Sequence, residues 1–280
     1  MTIVLSHFQV EPAILARREG KSLALLSTDL GLTKSEIRLN DAGIEFTPGH
    51  ILTWDQAAEI ERNPSACFLM RDGEIQRIKV FSDESNLLYS LYPTLSAPTM
   101  LISGVPMHRI KDTDPHADTL TKIRAIAPIR GRVLDTATGL GYTAIEAAKT
   151  ADSVVTIEID PSATEIARLN PWSRDLLENP KIEQLFGDSF EVIKTFGGGG
   201  FHCIIHDPPR FDLAGDLYSE EFYLELLRVL DRGGRLFHYI GDLESKSGRG
   251  VLRGVIERLK RSGFSRVTRR PEAFGVTAFK

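Results

Sequence analysis

Apolar positions follow two different rhythms along the chain, and the change comes near residue 94. Up to there they form short runs closed by turn residues. Residues 22–27, 36–39 and 44–46 read as strands, the latter two joined at Asn40-Asp41-Ala42-Gly43. Residues 53–60 read as a short helix with Thr53 or Asp55 at its cap. Residues 66–70 and 74–81 flank Arg71-Asp72-Gly73, and because Asp-Gly suits a primed turn they predict a hairpin. Further on, continuous apolar runs alternate with helix-forming stretches. Strands are expected at 132–135, 153–157, 182–186, 201–205 and 235–240, and helices at 119–127, 144–149, 161–169, 219–230 and 251–261. A closing hairpin is expected from 264–270 and 274–280 around Pro271-Glu272. Runs that are apolar throughout suit parallel strands covered on both faces. The pattern predicts a small α+β domain at 1–94, a linker with a lead-in helix at 95–128, and a doubly wound α/β domain at 129–280.

Composition narrows this picture. A net charge of −4 predicts no general affinity for nucleic acid; the Lys- and Arg-rich stretch 246–270 reads first as a solvated face, and it is also the one place where an anionic substrate could dock. Cys67 and Cys203 sit in apolar runs and read as buried free thiols of a reducing compartment. No run approaches the roughly 18 to 20 apolar residues of a membrane span, and the first residues lack a basic-then-apolar leader, so a cytoplasmic protein is expected. The N-terminal part has no zinc-ligand set or helix-turn-helix spacing, and no metal site is expected. A packing module, a homo-oligomer contact and a substrate-recognition module all remain open for it.

The chemistry centres on 132–143, where a short apolar run ends in Asp135, passes through Thr136-Ala137-Thr138 and turns at Gly139-Leu140-Gly141 into a helix. Glycines permit positive φ and let a ligand approach the backbone closely. Gly139-x-Gly141-x-x-Ala144 fits a loose dinucleotide fingerprint, but there the first glycine follows the strand almost directly, whereas three residues intervene here. An acid, three spacers and Gly-x-Gly look instead like the first motif of class I S-adenosylmethionine (SAM) methyltransferases. Glu158 ends the next strand about twenty residues on, where a carboxylate grips ribose hydroxyls; Asp160 competes, but Asp160-Pro161 reads as helix-start chemistry. Asp188 follows the third strand and suits an adenine amino group, an N-cap, or both.

The fourth strand delivers His206-Asp207-Pro208-Pro209-Arg210-Phe211 to the same edge. Two prolines stiffen the turn and fix where Asp207 points, which suits an acceptor amine whose N–H needs a partner. The fifth strand brings His238-Tyr239 beside it. Asp207, His206, His238 and Tyr239 are therefore the candidate catalytic residues. A histidine acting as proton acceptor implies a rate that falls below pH about 6.5.

With these residues in view, the chain from about Gly104 onward resembles a family of archaeal-type class I SAM-dependent methyltransferases, distantly similar to the spermidine-synthase branch. The matching words are Pro106-Met107-His108-Arg109, the Asp135 to Tyr142 stretch, Asn170-Pro171-Trp172-Ser173, the His206 to Phe211 stretch, Leu213-Ala214-Gly215 with Leu217-Tyr218-Ser219, and Phe237-His238-Tyr239. The resemblance implies a Rossmann-like sheet of seven strands with the last antiparallel, and SAM as cofactor. Candidate cofactor residues are Asp135, Thr136, Gly139, Gly141, Glu158, Asp188 and Arg109, the last as a fork for the methionine carboxylate. Amino-group methyltransferases that act on adenine, cytosine or glutamine carry an aromatic directly after Asp/Asn-Pro-Pro. Arg210 stands there in this chain and Phe211 one residue later, which leaves a lean towards nitrogen and an acceptor that is either a small molecule or RNA. The alternatives are an aminopropyltransferase using decarboxylated SAM, whose cofactor loop usually reads Gly-Gly-Gly-acid-Gly where this chain has Ala137-Thr138-Gly139-Leu140-Gly141, and a non-catalytic SAM-binding module.

Overall fold

The computed structural model describes residues 2–209 and 214–280. Contacts divide the chain into two compact units, Met1–His116 with Ser162–Arg174, and Ala117–Pro161 with Asp175–Lys280.

The first unit contains three small antiparallel sheets. One orders Ile3–Leu5, Phe68–Arg71 and Glu74–Arg77; a second runs from Leu23–Leu26 through Ser35–Leu39 and Gly43–Thr47 to His50–Thr53. The third orders Val105–Pro106, Thr99–Ile102, Leu87–Tyr92 and Lys79–Ser82. The segment from 95 onward, read as a linker, thus contributes two strands. The Asp-Gly hairpin forms with Arg71 opposite Glu74 and positive φ at both Asp72 (54°) and Gly73 (81°), as a type I′ turn requires. Its second strand ends at Arg77, and Lys79–Ser82 pairs in another sheet, so 74–81 is two strands and not one. Sequence reading missed the helix His7–Arg18. Pro12 interrupts its periodicity, but Ser6 and Gln9 close a capping box at its start, a local signal that marks the helix. The helix buries Val10, Ala13 and Ala16 against Ile3, Leu5, Leu26 and Ile44. In the Asn170 to Ser173 word, Asn170 caps its own turn through Trp172 N–H at 3.2 Å, and the Trp172 indole N–H donates to the Leu30 carbonyl at 3.1 Å.

The second unit is built on one seven-stranded sheet. Its spatial order is Ile182–Phe186, Ser153–Glu158, Arg132–Asp135, Phe201–His206, Leu230–Tyr239, Gly275–Phe279, Ser265–Arg270. The first five pair in parallel and Gly275–Phe279 runs antiparallel to both its neighbours. Val133, Leu134, Val154 and Val155 are each no more than 1% exposed, which explains why these strands read as unbroken apolar runs. Helices Glu220–Val229 and Lys246–Arg261 pack Phe222, Leu226, Leu252, Val255 and Leu259 into a core with Ile204 and Leu236. Order along the sheet reverses between Arg132–Asp135 and Phe201–His206. That reversal is the switch point beside which ligands of doubly wound sheets bind, beyond the carboxyl ends of the strands. Among the described residues no helix is long and apolar enough to cross a membrane.

Candidate functional site

The glycine turn leaves the sheet at the switch point. Thr138 N–H donates to the Ile157 carbonyl at 2.9 Å and Gly141 N–H to the Thr138 carbonyl at 2.7 Å, so the turn is pinned to the neighbouring strand before the helix Tyr142–Ala148 begins. Gly139 has φ 52° and open space where a Cβ would stand, so the backbone there is bare. Gly141 has φ 77°, and a Cβ on it would lie 2.6 Å from Leu176 Cδ2. One glycine keeps an approach open and the other is required by packing.

Glu158 spans the turn from the adjacent strand end. One oxygen accepts from Gly139 N–H at 2.8 Å, and the other accepts from the N–H groups of Ile159 at 3.0 Å and Asp160 at 3.1 Å. Burial pushes its carboxyl above the ordinary range, opposed by these three donors. Asp135 is the first correction. The sequence places it facing a ligand, but it is fully buried and accepts from the Thr143 hydroxyl at 2.8 Å. The incoming helix covers the strand end, and burial pushes the Asp135 carboxyl to about 7. Its place is to hold the start of the helix under the turn. Thr136 is buried as well, its hydroxyl 2.7 Å from His206 Nδ1 and its carbonyl accepting from Ser189 at 2.6 Å. Asp188 is exposed and caps the next helix through Phe190 N–H at 2.8 Å.

Strand alternation sorts the remaining candidates onto two faces. His206 pairs in register with His238, and both are fully buried with ring centroids 4.4 Å apart. His206 Nε2–H donates to the Leu217 carbonyl at 2.9 Å, which leaves Nδ1 to accept from Thr136; His238 Nε2 lies 2.8 Å from the Tyr223 hydroxyl. Desolvation lowers the His206 imidazole to about 4 and His238 well below its usual value. The expectation that they line an open pocket is therefore corrected, since alternation turns them into the core beneath the edge. Their folded pKa values lie below the unfolded one. The unfolded chain thus binds more protons between about pH 6.5 and 4, and the stability their neutral forms contribute is present above about 6.5 and lost as pH falls. The His206 Cε1 proton resonance should show its midpoint near about 4, with no histidine-dependent step in rate at 6.5. An inflection of that resonance between about pH 6 and 7 would contradict this placement.

Asp207 and Tyr239 face the other way, where sequence reading missed two charged partners. Lys122, on the helix Pro115–Ile126, has a side chain only 3% exposed; its ammonium lies 2.7 Å from Asp207 Oδ2 and 3.0 Å from Asp118 Oδ2. It also sits 4.4 Å from the centre of the Tyr239 ring. Burial alone would lower the Lys122 pKa, but the two carboxylates outweigh it and hold the ammonium charged above its ordinary value. Burial pushes the Asp207 carboxyl up, with Lys122 opposing. Asp207 Oδ1 has no hydrogen-bond partner among the described residues, and its side chain is 17% exposed. The signal that could have found Lys122 is an Asp-x-x-x-Lys pair one helical turn apart, which ordinarily reads as a surface pair.

The words Arg210, Phe211 and Leu213 of the sequence motif lie outside the described residues. Tyr218, from the same resemblance, donates its hydroxyl to the Pro209 carbonyl at 3.1 Å. Arg109 belongs to the first unit, just past Val105–Pro106. Both cysteines are buried and free.

Over 260 residues the chain is 42% identical to the "Uncharacterized protein MJ1233" of Methanocaldococcus jannaschii, covering 91% of this chain and 88% of that one. A shorter stretch of 105 residues is 32% identical to the polyamine aminopropyltransferase of Corynebacterium efficiens, covering 35% of this chain and 20% of that enzyme. The spermidine synthase from Thermotoga maritima superposes with a TM-score of 0.57 at 18% identity, over 74% of this chain and 75% of that one. No family model matches the chain. The fold is the Rossmann-like one that spermidine synthases share with class I methyltransferases, a mixed α/β sheet of seven strands with the last antiparallel.

Proposed function

The chain belongs to the family of the Methanocaldococcus jannaschii protein MJ1233, and we propose that it works there as a SAM-dependent transferase. The observation that carries this reading is the Glu158 carboxylate lying across the bare Gly139 turn at the switch point of the sheet, with Asp207 at the end of the next strand over from Asp135. Two backbone N–H groups occupy Glu158 Oε1, so Oε2 keeps a lone pair for a ribose hydroxyl, and the open space where a Gly139 Cβ would stand lets a nucleoside reach the backbone. Asp188 stands at the end of the strand beyond Glu158, where an adenine amino group would find an acceptor.

SAM supplies, when bound, a methyl group on a sulfonium. In the reading we favour the acceptor is a nitrogen, on a small molecule or on RNA. Asp207 Oδ1 accepts its N–H, while Lys122 holds Oδ2 and so fixes the carboxylate's direction. The second reading is aminopropyl transfer from decarboxylated SAM. The local similarity to polyamine aminopropyltransferases favours it, and it too needs an amine held by a carboxylate.

Glu158→Ala is expected to weaken SAM binding by about 1 to 3 kcal/mol, the cost of removing an acceptor from charge-assisted hydrogen bonds, with the fold retained. Calorimetric titration of both proteins checks it. Equal affinity in a folded variant would move the ribose contact away from Glu158.

A further inference from the structure

A cavity of about 210 Å³ opens at the opposite, amino-terminal edge of the seven-stranded sheet, lined by Arg130, His202, Cys203, Asp231, Arg232 and Arg235 among others. Its origin is an irregularity in the sheet. Pairing jumps from Phe201 opposite Leu230 to Cys203 opposite Arg235, so residues 231–234 stand out as a rim. Gly233 has φ 76°, and a Cβ on Gly234 would lie 2.8 Å from the Asp231 carbonyl oxygen, so the rim turns where only small residues fit. Gly131 is likewise bare because the His202 ring occupies the space of its Cβ. His202 Nδ1 accepts from Arg132 N–H at 3.3 Å, which makes its other nitrogen the one that carries the proton.

Charge in this cavity is one-sided, although the whole chain carries −4. Its single carboxylate, Asp231, accepts from the Arg232 backbone N–H at 2.7 Å and stands 3.8 Å from His202 Nε2. None of the Arg130, Arg232 and Arg235 guanidinium groups makes a hydrogen bond or ion pair among the described residues. Arg235 Nε is moreover buried without an acceptor. Buried donors of this kind ordinarily have partners, and here the unpaired donor belongs to an arginine that lines the cavity. In the Lys- and Arg-rich stretch 246–270 several cations are already engaged. Arg249 donates to the Glu244 carbonyl, and Arg261 and Arg269 pair with Glu220 and Glu244.

We propose that this cavity is a binding site for a phosphate-class oxyanion, held by the forks of Arg130, Arg232 and Arg235 and by His202. Planar guanidiniums match tetrahedral oxyanions in pairs of parallel N–H bonds, and a pocket of this size holds a phosphate with part of what it is attached to. The phosphate belongs either to a small phosphorylated molecule or to a nucleic-acid backbone.

The test titrates the full chain at low ionic strength with inorganic phosphate and, separately, with a short 5′-phosphorylated RNA. Saturable binding is expected, weakened about tenfold or more in Arg130→Gln/Arg232→Gln, as loss of charge-assisted hydrogen bonds implies. Both positions are exposed, so that variant keeps the fold; Arg235→Gln should weaken binding likewise. RNA binding far more tightly than phosphate through the same arginines identifies a nucleic-acid backbone, and comparable affinity identifies a small phosphorylated molecule. SAM affinity should be unchanged, because the cavity lies at the far edge of the sheet. Absence of saturable binding by both probes, or binding indifferent to the arginine substitutions, would overturn the proposal.

Discussion

Lys122→Met is expected to destabilise the protein by about 3 to 5 kcal/mol, the usual cost of leaving buried charge without its partner. The reason is geometric. Asp118 and Asp207 both approach one ammonium, the Asp118 side chain is fully buried, and a thioether offers neither carboxylate a donor. The loss should shrink at low pH as the Asp207 carboxyl, which burial pushes up, takes up a proton, and it should be partly recovered in Lys122→Met/Asp118→Leu, which removes the more deeply buried acid. Urea unfolding of the three proteins at pH 7 and at pH 5 measures this. A loss below about 1 kcal/mol, typical of a solvated ion pair, would show that the cluster is not the buried network described above.

Gly141→Ala should carry two separable penalties. A Cβ at φ 77° costs about 1 to 2 kcal/mol for the left-handed backbone alone. Contact at 2.6 to 2.9 Å with three atoms of Leu176, itself buried, adds overpacking of about 1 to 3 kcal/mol. Leu176→Ala placed in the Gly141→Ala background should relieve the second penalty and leave the first. SAM affinity should fall with Gly141→Ala, because the turn that presents Gly139 is pinned through Gly141 N–H. Stability unchanged by Gly141→Ala would mean that the turn relaxes freely, and the packing argument would fail with it.

Much of the second unit could be read from the chain because its signals are local. β-branched runs such as Ser153–Glu158 and the Gly-x-Gly turn need no knowledge of what packs on them, and the same holds for the Asp-Gly hairpin of the first unit. The errors have a shared cause in tertiary placement. His206 and His238 looked like pocket residues because they end strands at the right edge, yet side-chain alternation, known only once register is known, sends them to the core. Asp135 looked free until the helix carrying Thr143 covered it. Lys122 meets Asp207 from 85 residues away, a distance over which no sequence period speaks. The Arg235 cavity arises from a pairing irregularity, which leaves only two adjacent glycines as its trace. The helix His7–Arg18 is different, for its Ser6-x-x-Gln9 cap is a local signal, although Pro12 breaks the helical pattern that would draw attention to it.

The central claim is that the carboxyl edge of this sheet receives a SAM-type nucleoside through Glu158 and the Gly139 turn. Calorimetric titration of the intact chain with SAM and with decarboxylated SAM tests it most directly. Saturable binding of at least one is expected, with loss in Glu158→Ala, and preference for intact SAM supports methyl transfer over aminopropyl transfer. Failure of the folded protein to bind either nucleoside would contradict the account.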